Sequence, residues 1–136
     1  PLSLEESHIM RIHPYYGREI LKKVKGFEKI AEWGPLHHER LDGSGYPYHL
    51  DEKTLSLGSR IMAVTDIFTA LAEDRPYRQA MDKGDIISTL LSLSKDNKID
   101  SKVVSVVAQN FSEIDEVRRN AQSLALKDYE LVRSEQ

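Results

Sequence analysis

The sequence predicts an all-α protein, a helical bundle of six or seven helices with one glycine-rich loop. Two observations lead to this fold class. Apolar residues recur at spacings of three and four in almost every segment, which is the period of an amphipathic helix. The exception is the stretch 40–57, where Gly43, Gly45 and Pro47 fall within five residues, a pattern that no helix interior tolerates.

The first predicted helices lie on either side of Pro14. Ser3 followed by Glu6 is the pattern of a capping box, so a helix is expected to begin there. Proline breaks a helix interior, which predicts two helices that meet near His13 rather than one long rod. A further short helix is expected over 27–36.

The stretch 40–57 is long for a loop in a compact domain, and loops of that length usually carry function. The helix expected over 58–72 is apolar nearly all round, which predicts a central, buried helix. Two more helices are expected over 85–95 and 101–111.

The last segment is predicted to be an amphipathic helix with a cap at Ser112. Its apolar residues alternate in steps of three and four, and Asp128 interrupts them. The helix either lies on the domain or continues into a partner helix or coiled coil. We therefore predict one helical domain over 1–111 and a C-terminal helix over 112–136.

Composition excludes several classes of protein. A length of 136 residues, with 40% hydrophobic and 30% charged side chains, predicts one folded domain. A net charge of −3 without a long block of one sign argues against a nucleic acid polymer as the partner, although a local basic pocket for a small anion stays open. The absence of cysteine excludes disulfides, thiolate zinc sites and cysteine nucleophiles.

The sequence has no apolar run of the roughly 20 residues that a membrane span needs. No signal peptide is visible either, so a cytoplasmic location is expected. The chain opens at Pro1. That start fits a piece of a larger protein or the removal of an initiator methionine.

Asp66 is the first candidate site residue, because it lies within the most apolar helix. A buried carboxylate is costly unless it is paired, hydrogen-bonded or bound to a metal. Two interpretations stay open. Asp66 either pairs with Arg60 or Arg75 at the edge of a pocket, or it is a metal ligand.

The histidines are the second set of candidates. Adjacent side chains on a helix diverge by about 100°, so His37 and His38 are expected to serve two ions, or one binds while the other orients, unless the pair is merely structural. His13 is a third imidazole at a helix break, whereas His8 and His49 are predicted to be surface residues. Imidazoles and a carboxylate without cysteine suit Fe, Mn, Zn or Ni better than Ca or Mg.

Two arginines and a tyrosine suggest phosphate chemistry. Arg75 and Arg78 flank Pro76 and could clamp a phosphodiester, or they pair with nearby acidic side chains. Tyr46 offers a ring and a hydroxyl within the glycine-rich loop. A two-metal site with such a clamp would hydrolyse a phosphodiester by a bridging hydroxide.

The stretch 37–47, HHERLDGSGYP, resembles the signature of the HD-GYP family of bacterial phosphohydrolases. The resemblance covers about residues 1–111. Its other matching segments are 2–6, 13–17, 57–61, 63–66, 74–78 and, more loosely, 97–100.

The resemblance implies a bundle of the HD-domain type with a bi- or trinuclear metal centre, often iron or manganese, that hydrolyses cyclic di-GMP by metal-bound hydroxide. By position, the implied metal ligands are His13, His37, His38 and Asp66. The implied substrate-binding residues are Tyr46, Arg75 and Arg78, and the implied scaffold of the loop is Glu39, Arg40 and Asp42.

One feature of the family is missing. The family is named for a His-Asp dyad that precedes these segments and is followed by a lysine, but no His-Asp dipeptide occurs in the 136 residues. The resemblance therefore implies the C-terminal part of an HD-GYP domain, with a weakened metal site and no intact catalytic residue beyond a metal-bound water. We expect a cyclic dinucleotide as the substrate of the parent enzyme and no hydrolysis by the isolated chain. The alternative is a non-catalytic module that binds a nucleotide or a signalling partner, and a homodimer is also open.

Overall fold

The computed structural model describes residues 3–75 and 78–134, and these residues form an all-helical structure, as predicted. Apart from the isolated bridges Asp42–Asp51 and Arg75–Arg78, no β-pairing occurs within them. The elements in chain order are α1 (Leu4–Arg11), α2 (His13–Leu21), α3 (Glu28–Trp33), a 3₁₀ turn (Gly34–Leu36), α4 (Leu57–Ala72), α5 (Lys83–Lys95), α6 (Ser101–Gln109) and α7 (Phe111–Ser134).

The N-terminal helices begin and end where the sequence predicts. The Ser3 hydroxyl accepts a hydrogen bond from the Glu6 N–H, and the Glu6 carboxylate accepts one from the Ser3 N–H at 2.7 Å, which completes the capping box. Pro14 lies in the first turn of α2, where its missing N–H costs nothing. This proline therefore separates α1 from α2 just before His13.

The chain divides into two compact units, one up to Val104 and one from Ser105. In the first unit, α2 contacts α3 and the 3₁₀ turn, and α4 contacts α3, the 3₁₀ turn and α5. Val64 and Phe68 on α4 and Leu90 on α5 are almost fully buried there. The burial of such side chains contributes about 1.5–3 kcal/mol each, so this core holds α4 in place.

A smaller apolar cluster lies under the glycine-rich loop. Leu36, Leu41 and Leu55 are buried together, with Tyr48 and Leu50 packed against them. Because these leucines come from the 3₁₀ turn and from both ends of the loop, the cluster closes the loop back onto the helices.

The second unit contains the end of α6 and the long helix α7. Helix α7 begins at Phe111, one residue before the predicted cap at Ser112. Within it, the Arg118 guanidinium donates hydrogen bonds to Asp115 at 2.8 Å and to Gln122 at 2.6 Å. The predicted domain boundary after residue 111 and the partner helix stay predictions.

The prediction that α4 is buried all round is wrong. Ser59, Ala63, Val64 and Phe68 are buried, but Ile61 is 42% exposed and Met62 is 38% exposed. The neighbours of α4 lie on one side of it, so the opposite side faces solvent. An apolar composition indicates a tendency to be buried but does not show how many elements pack around a helix.

Helix α4 starts against the indole of Trp33. A Cβ at Gly58 would lie 2.3–2.5 Å from atoms of that ring, closer than any side chain could be. Glycine at this position therefore lets the first turn of α4 approach the end of α3.

Candidate metal centre

Three histidines converge at the junction of α2 and the 3₁₀ turn. Each of His13, His37 and His38 offers a ring nitrogen, and these nitrogens lie within 4.8 Å of one another. The residues that the structure describes contain no second group of three such ligands. A divalent cation can bind imidazole nitrogens at this spacing, since one ion between them would be within reach of all three.

Each histidine is placed by a break in the backbone. His13 is the first residue of α2, after the interruption at Ile12. His37 and His38 are turn residues that directly follow the 3₁₀ turn, and their ring centroids are 4.0 Å apart. The expectation that these adjacent side chains diverge is therefore wrong.

Hydrogen bonds to backbone carbonyls orient two of the rings. The Nδ1 of His13 lies 2.5 Å from the Met10 carbonyl oxygen, and the Nδ1 of His37 lies 2.5 Å from the Gly34 carbonyl oxygen. Because a carbonyl only accepts, each Nδ1 carries the hydrogen and each Nε2 presents a lone pair. The two Nε2 atoms are 3.3 Å apart, so their lone pairs face each other. This arrangement fits a bound cation, and it is the usual support of a metal-ligating histidine.

His38 is held neutral. Burial and, to a smaller extent, the neighbouring His37 lower the pKa of His38 to about 4, whereas Asp66 acts in the opposite direction. The Tyr46 ring stacks on it, with centroids 4.7 Å apart at an interplanar angle of 29°. A neutral imidazole is the form that binds metals, so His38 is ready to act as a ligand at pH 7.

Asp66 does not join the three histidines but lies close to them. It is exposed on α4 and lines a cavity of about 390 Å³ together with His37 and Thr65. Its predicted alternative pairing with Arg60 is wrong, because that guanidinium donates to Asp100 at 3.1 Å and to backbone carbonyls. Among the described residues no ion pair joins Asp66 to Arg75 either. The role of Asp66 as a ligand stays a prediction.

Buried Glu39 fixes the loop after the histidines. Its carboxylate oxygens accept hydrogen bonds from the Tyr48 N–H at 2.6 Å and the Leu50 N–H at 3.0 Å. A Cβ at Gly45 would lie 2.4 Å from the Glu39 Cα and the Arg40 nitrogen, so the loop backbone passes directly over this residue. The predicted scaffolding role of Glu39 is confirmed.

Asp42 ties the same loop to the end of α5. Its carboxylate forms an ion pair with Lys98 and accepts hydrogen bonds from the N–H and hydroxyl of Ser44. The Lys98 hydrogen bond, followed by those from Ser44, holds the pKa of Asp42 well below its usual range. The Leu41 N–H also donates to the Lys98 carbonyl at 3.1 Å. Asp42 is thus confirmed as a scaffold residue, since its ion pair with Lys98 fixes the loop to the segment after α5.

A larger cavity of about 470 Å³ opens beside His37 and His38. Tyr46 is on its wall, and burial, the largest influence, raises the pKa of this phenol. The cations and other basic side chains on the wall are Arg11, Arg40, Lys98 and His49. Sequence reasoning missed Arg11 and His49. For Arg11, the only signal in the sequence that could have indicated a place at the site is its position two residues before His13.

The structure does not bring Arg75 and Arg78 to this cavity. Their backbones pair with each other through hydrogen bonds of 2.7 and 3.0 Å, and the Arg78 guanidinium donates to the carbonyls of Ala70 and Leu71. Arg78 therefore satisfies the C-terminal end of α4. Asp74 accepts from the Ala80 N–H, whereas Pro76 and Tyr77 of the predicted motif lie outside the described residues.

Comparison with known proteins identifies the family. The model of the HD domain family matches residues 1–103. The chain belongs to the HD domain family. Its relatives are cyclic dinucleotide phosphodiesterases, which also confirms the resemblance to HD-GYP proteins.

Three relatives illustrate the similarity. The chain is 38% identical over 112 residues to the 3′3′-cGAMP-specific phosphodiesterase 1 of Vibrio cholerae, which is 81% of this chain and 26% of that protein. It is 37% identical over 95 residues to a cyclic di-GMP phosphodiesterase of Thermotoga maritima, with coverages of 68% and 26%. It is 41% identical over 83 residues to a cyclic di-GMP phosphodiesterase response regulator of Xanthomonas campestris, with coverages of 58% and 21%.

The HD domain chain thus spans about a quarter of the length of these curated relatives. Within the described ranges, no helix has both the length and the apolar character that crossing a bilayer requires.

Proposed function

We propose that this HD domain is part of a metal-dependent phosphodiesterase that hydrolyses a cyclic dinucleotide. The observation that carries the proposal is the facing pair of Nε2 atoms of His13 and His37, each ring oriented by a backbone carbonyl. The names of the relatives support the substrate class, since they act on cyclic di-GMP or 3′3′-cGAMP.

The proposed metal ligands are His13, His37, His38 and Asp66. Imidazole and carboxylate ligands suit iron or manganese, and zinc or nickel fit as well. When bound, a divalent cation supplies Lewis-acid polarisation of a phosphoryl oxygen and activates water. The protein contributes the orientation of the rings, which the Met10 and Gly34 carbonyls fix.

The substrate is proposed to bind beside Tyr46, which lines the 470 Å³ cavity next to His37 and His38. Glu39 and Gly45 hold the loop that carries this ring. Arg75 and Arg78 are proposed to contact phosphate. Arg78 must then exchange its hydrogen bonds to the end of α4 for the ligand.

A second candidate function is a non-catalytic module that binds a nucleotide or a signalling protein. One observation favours it, namely that the described residues bring together one group of three ligands rather than the two or three sites of a multinuclear centre. A second copy of the chain as a partner and a cytoplasmic location also stay predictions.

Metal loading tests the proposal. The chain is loaded anaerobically with Fe²⁺ or Mn²⁺, and its metal content and melting temperature are measured. Conversion of cyclic di-GMP is measured on the intact parent protein, loaded in the same way. Because a cation binds the native state, we expect about 2.7 kcal/mol of stabilisation at a free metal concentration about 100 times the Kd. His37→Ala should abolish this gain in the chain and abolish the conversion in the intact parent protein, whereas the same change at exposed His8 should do neither.

The possible results separate the two functions. Retained metal with a linear dinucleotide or GMP as product supports the phosphodiesterase. Nucleotide binding without product supports the binding module. A protein that retains no metal contradicts the proposed centre.

A further inference from the structure

We propose that Arg11 and Arg40 form a second phosphate site in the 470 Å³ cavity, which binds the phosphate of a cyclic dinucleotide that is not being cleaved. This inference rests on the proposed function for the class of substrate. It assigns a binding role to Arg11, for which the sequence predicted no role, and to Arg40, for which it predicted only a scaffolding role.

The cavity continues directly from the histidines. His37 and His38 lie on its wall together with Arg11 and Arg40, so a ligand that has one phosphate at the histidines extends into the same space. The volume is within the range of about 300–1,000 Å³ that is typical of small-molecule sites.

The two arginines carry charge that the protein leaves uncompensated. Among the described residues, no carboxylate lies within ion-pair distance of Arg11 or Arg40. The third cation of the wall, Lys98, is already paired with Asp42. The one carboxylate on the wall, that of Glu39, accepts from two backbone N–H groups. The cavity is therefore positive at the two guanidiniums, and a guanidinium matches the oxygens of a phosphate in a bidentate manner.

Arg11 and His38 both lie against the Tyr46 ring. The Arg11 guanidinium carbon is 5.6 Å from the centre of the Tyr46 ring, which in turn stacks on His38 at 4.7 Å. Arg11 thus lines the space into which the rest of a ligand held at the histidines would extend. A cyclic dinucleotide has a second phosphate across its ring, whereas a simple phosphodiester has none, so the site would distinguish the two.

The test uses Arg11→Met and Arg40→Met, which keep the length of the side chain and remove its charge. Arg18→Met is the matched control, because Arg18 lies 5.3 Å from the Tyr48 ring and is not on the cavity wall. Binding of cyclic di-GMP is measured by calorimetry on the metal-free protein, in which no hydrolysis interferes. The same variants of the intact parent protein, loaded with metal, are assayed with cyclic di-GMP and with bis(p-nitrophenyl) phosphate, which has a single phosphate.

We expect each of the two variants to raise the Kd for cyclic di-GMP at least tenfold. The ratio of kcat/KM for cyclic di-GMP to that for bis(p-nitrophenyl) phosphate should fall by a similar factor, and Arg18→Met should change neither. A Kd within twofold of the wild type in both variants overturns the inference, as does an equal loss in Arg18→Met or a wild-type protein that binds no cyclic di-GMP.

The two readouts also separate this inference from the proposed function. If the chain binds cyclic di-GMP through the arginines but the metal-loaded parent protein hydrolyses neither compound, the phosphate site stands and the phosphodiesterase fails. If both compounds are hydrolysed while the arginine variants bind normally, the phosphodiesterase stands and the phosphate site fails.

Discussion

Glu39 offers a sharp test of how the loop beside the histidines is held. Its buried carboxylate accepts hydrogen bonds from the Tyr48 and Leu50 N–H groups and thereby spans nine and eleven residues of loop. Glu39→Ala removes both bonds and leaves two half-buried N–H groups without this partner.

The magnitude follows from the number and type of bonds. A hydrogen bond to a charged group contributes about 1.5–3 kcal/mol to stability. Two such bonds would give about 3–6 kcal/mol, and the partial access of water to Tyr48 and Leu50 places the loss at the lower end, about 3 kcal/mol. Glu39→Gln keeps one acceptor but turns an amide N–H₂ towards a backbone donor. Its free energy of unfolding should therefore lie between those of the wild type and Glu39→Ala.

Urea unfolding followed by circular dichroism measures the effect. With a slope of about 1–3 kcal/mol per molar urea, a loss of about 3 kcal/mol lowers the midpoint by about 1–3 M. Glu32→Ala, at an exposed position on α3, is the control and should stay within about 0.5 kcal/mol of the wild type. A Glu39→Ala protein that unfolds at the same urea concentration as the control would refute the structural role of this carboxylate.

Two further predictions concern the same region. Gly45→Ala places a Cβ 2.4 Å from the backbone of Glu39, so we expect it to lower the melting temperature. The control Gly17→Ala, whose Cβ would have nothing within 4 Å, should raise the melting temperature, because it removes a glycine from a helix. Equal shifts in the two variants would contradict this prediction. The pKa of His38 is lowered to about 4 in the folded protein, so as the pH falls the unfolded chain takes up a proton at this residue before the folded protein does. The stability of the metal-free protein, measured as the urea midpoint of unfolding, should therefore fall as the pH drops from about 6.5 towards 4. His38→Gln should make this fall smaller, whereas the control His8→Gln should not. The same pH dependence in His38→Gln as in the wild type would exclude His38 as its source.

Local signals in the sequence predicted most of the helices. The capping box at Ser3 and the proline at Pro14 act on their own neighbours, so their outcome does not depend on the rest of the fold. The same holds for the glycine-rich loop, since the backbone that leaves no room for a Cβ at Gly45 belongs to Glu39, only six positions earlier. The ranges of α4 and α5 were close to those expected for the same reason.

The features that failed depend on which elements meet in space. The burial of α4 depends on its neighbours, and the orientation of His37 and His38 depends on a 3₁₀ turn that the spacing did not reveal. The placement of Arg78 also depends on such contacts, since its guanidinium donates to carbonyls at the end of α4, and its role at a phosphate stays a prediction. Arg11, the last residue of α1, lines the cavity through its position over the Tyr46 ring, a contact between segments distant in the sequence.

The close approach of Gly58 to Trp33 also provides an optical probe. Trp33 is the only tryptophan of the chain, and it directly precedes Gly34, whose carbonyl orients His37. Its fluorescence therefore comes from the contact between α3 and α4, four residues before His37 of the candidate metal centre. Quenching of this emission during a titration with Fe²⁺ or Mn²⁺ would follow the loading of the histidines without a label, and its wavelength would report whether α4 stays docked.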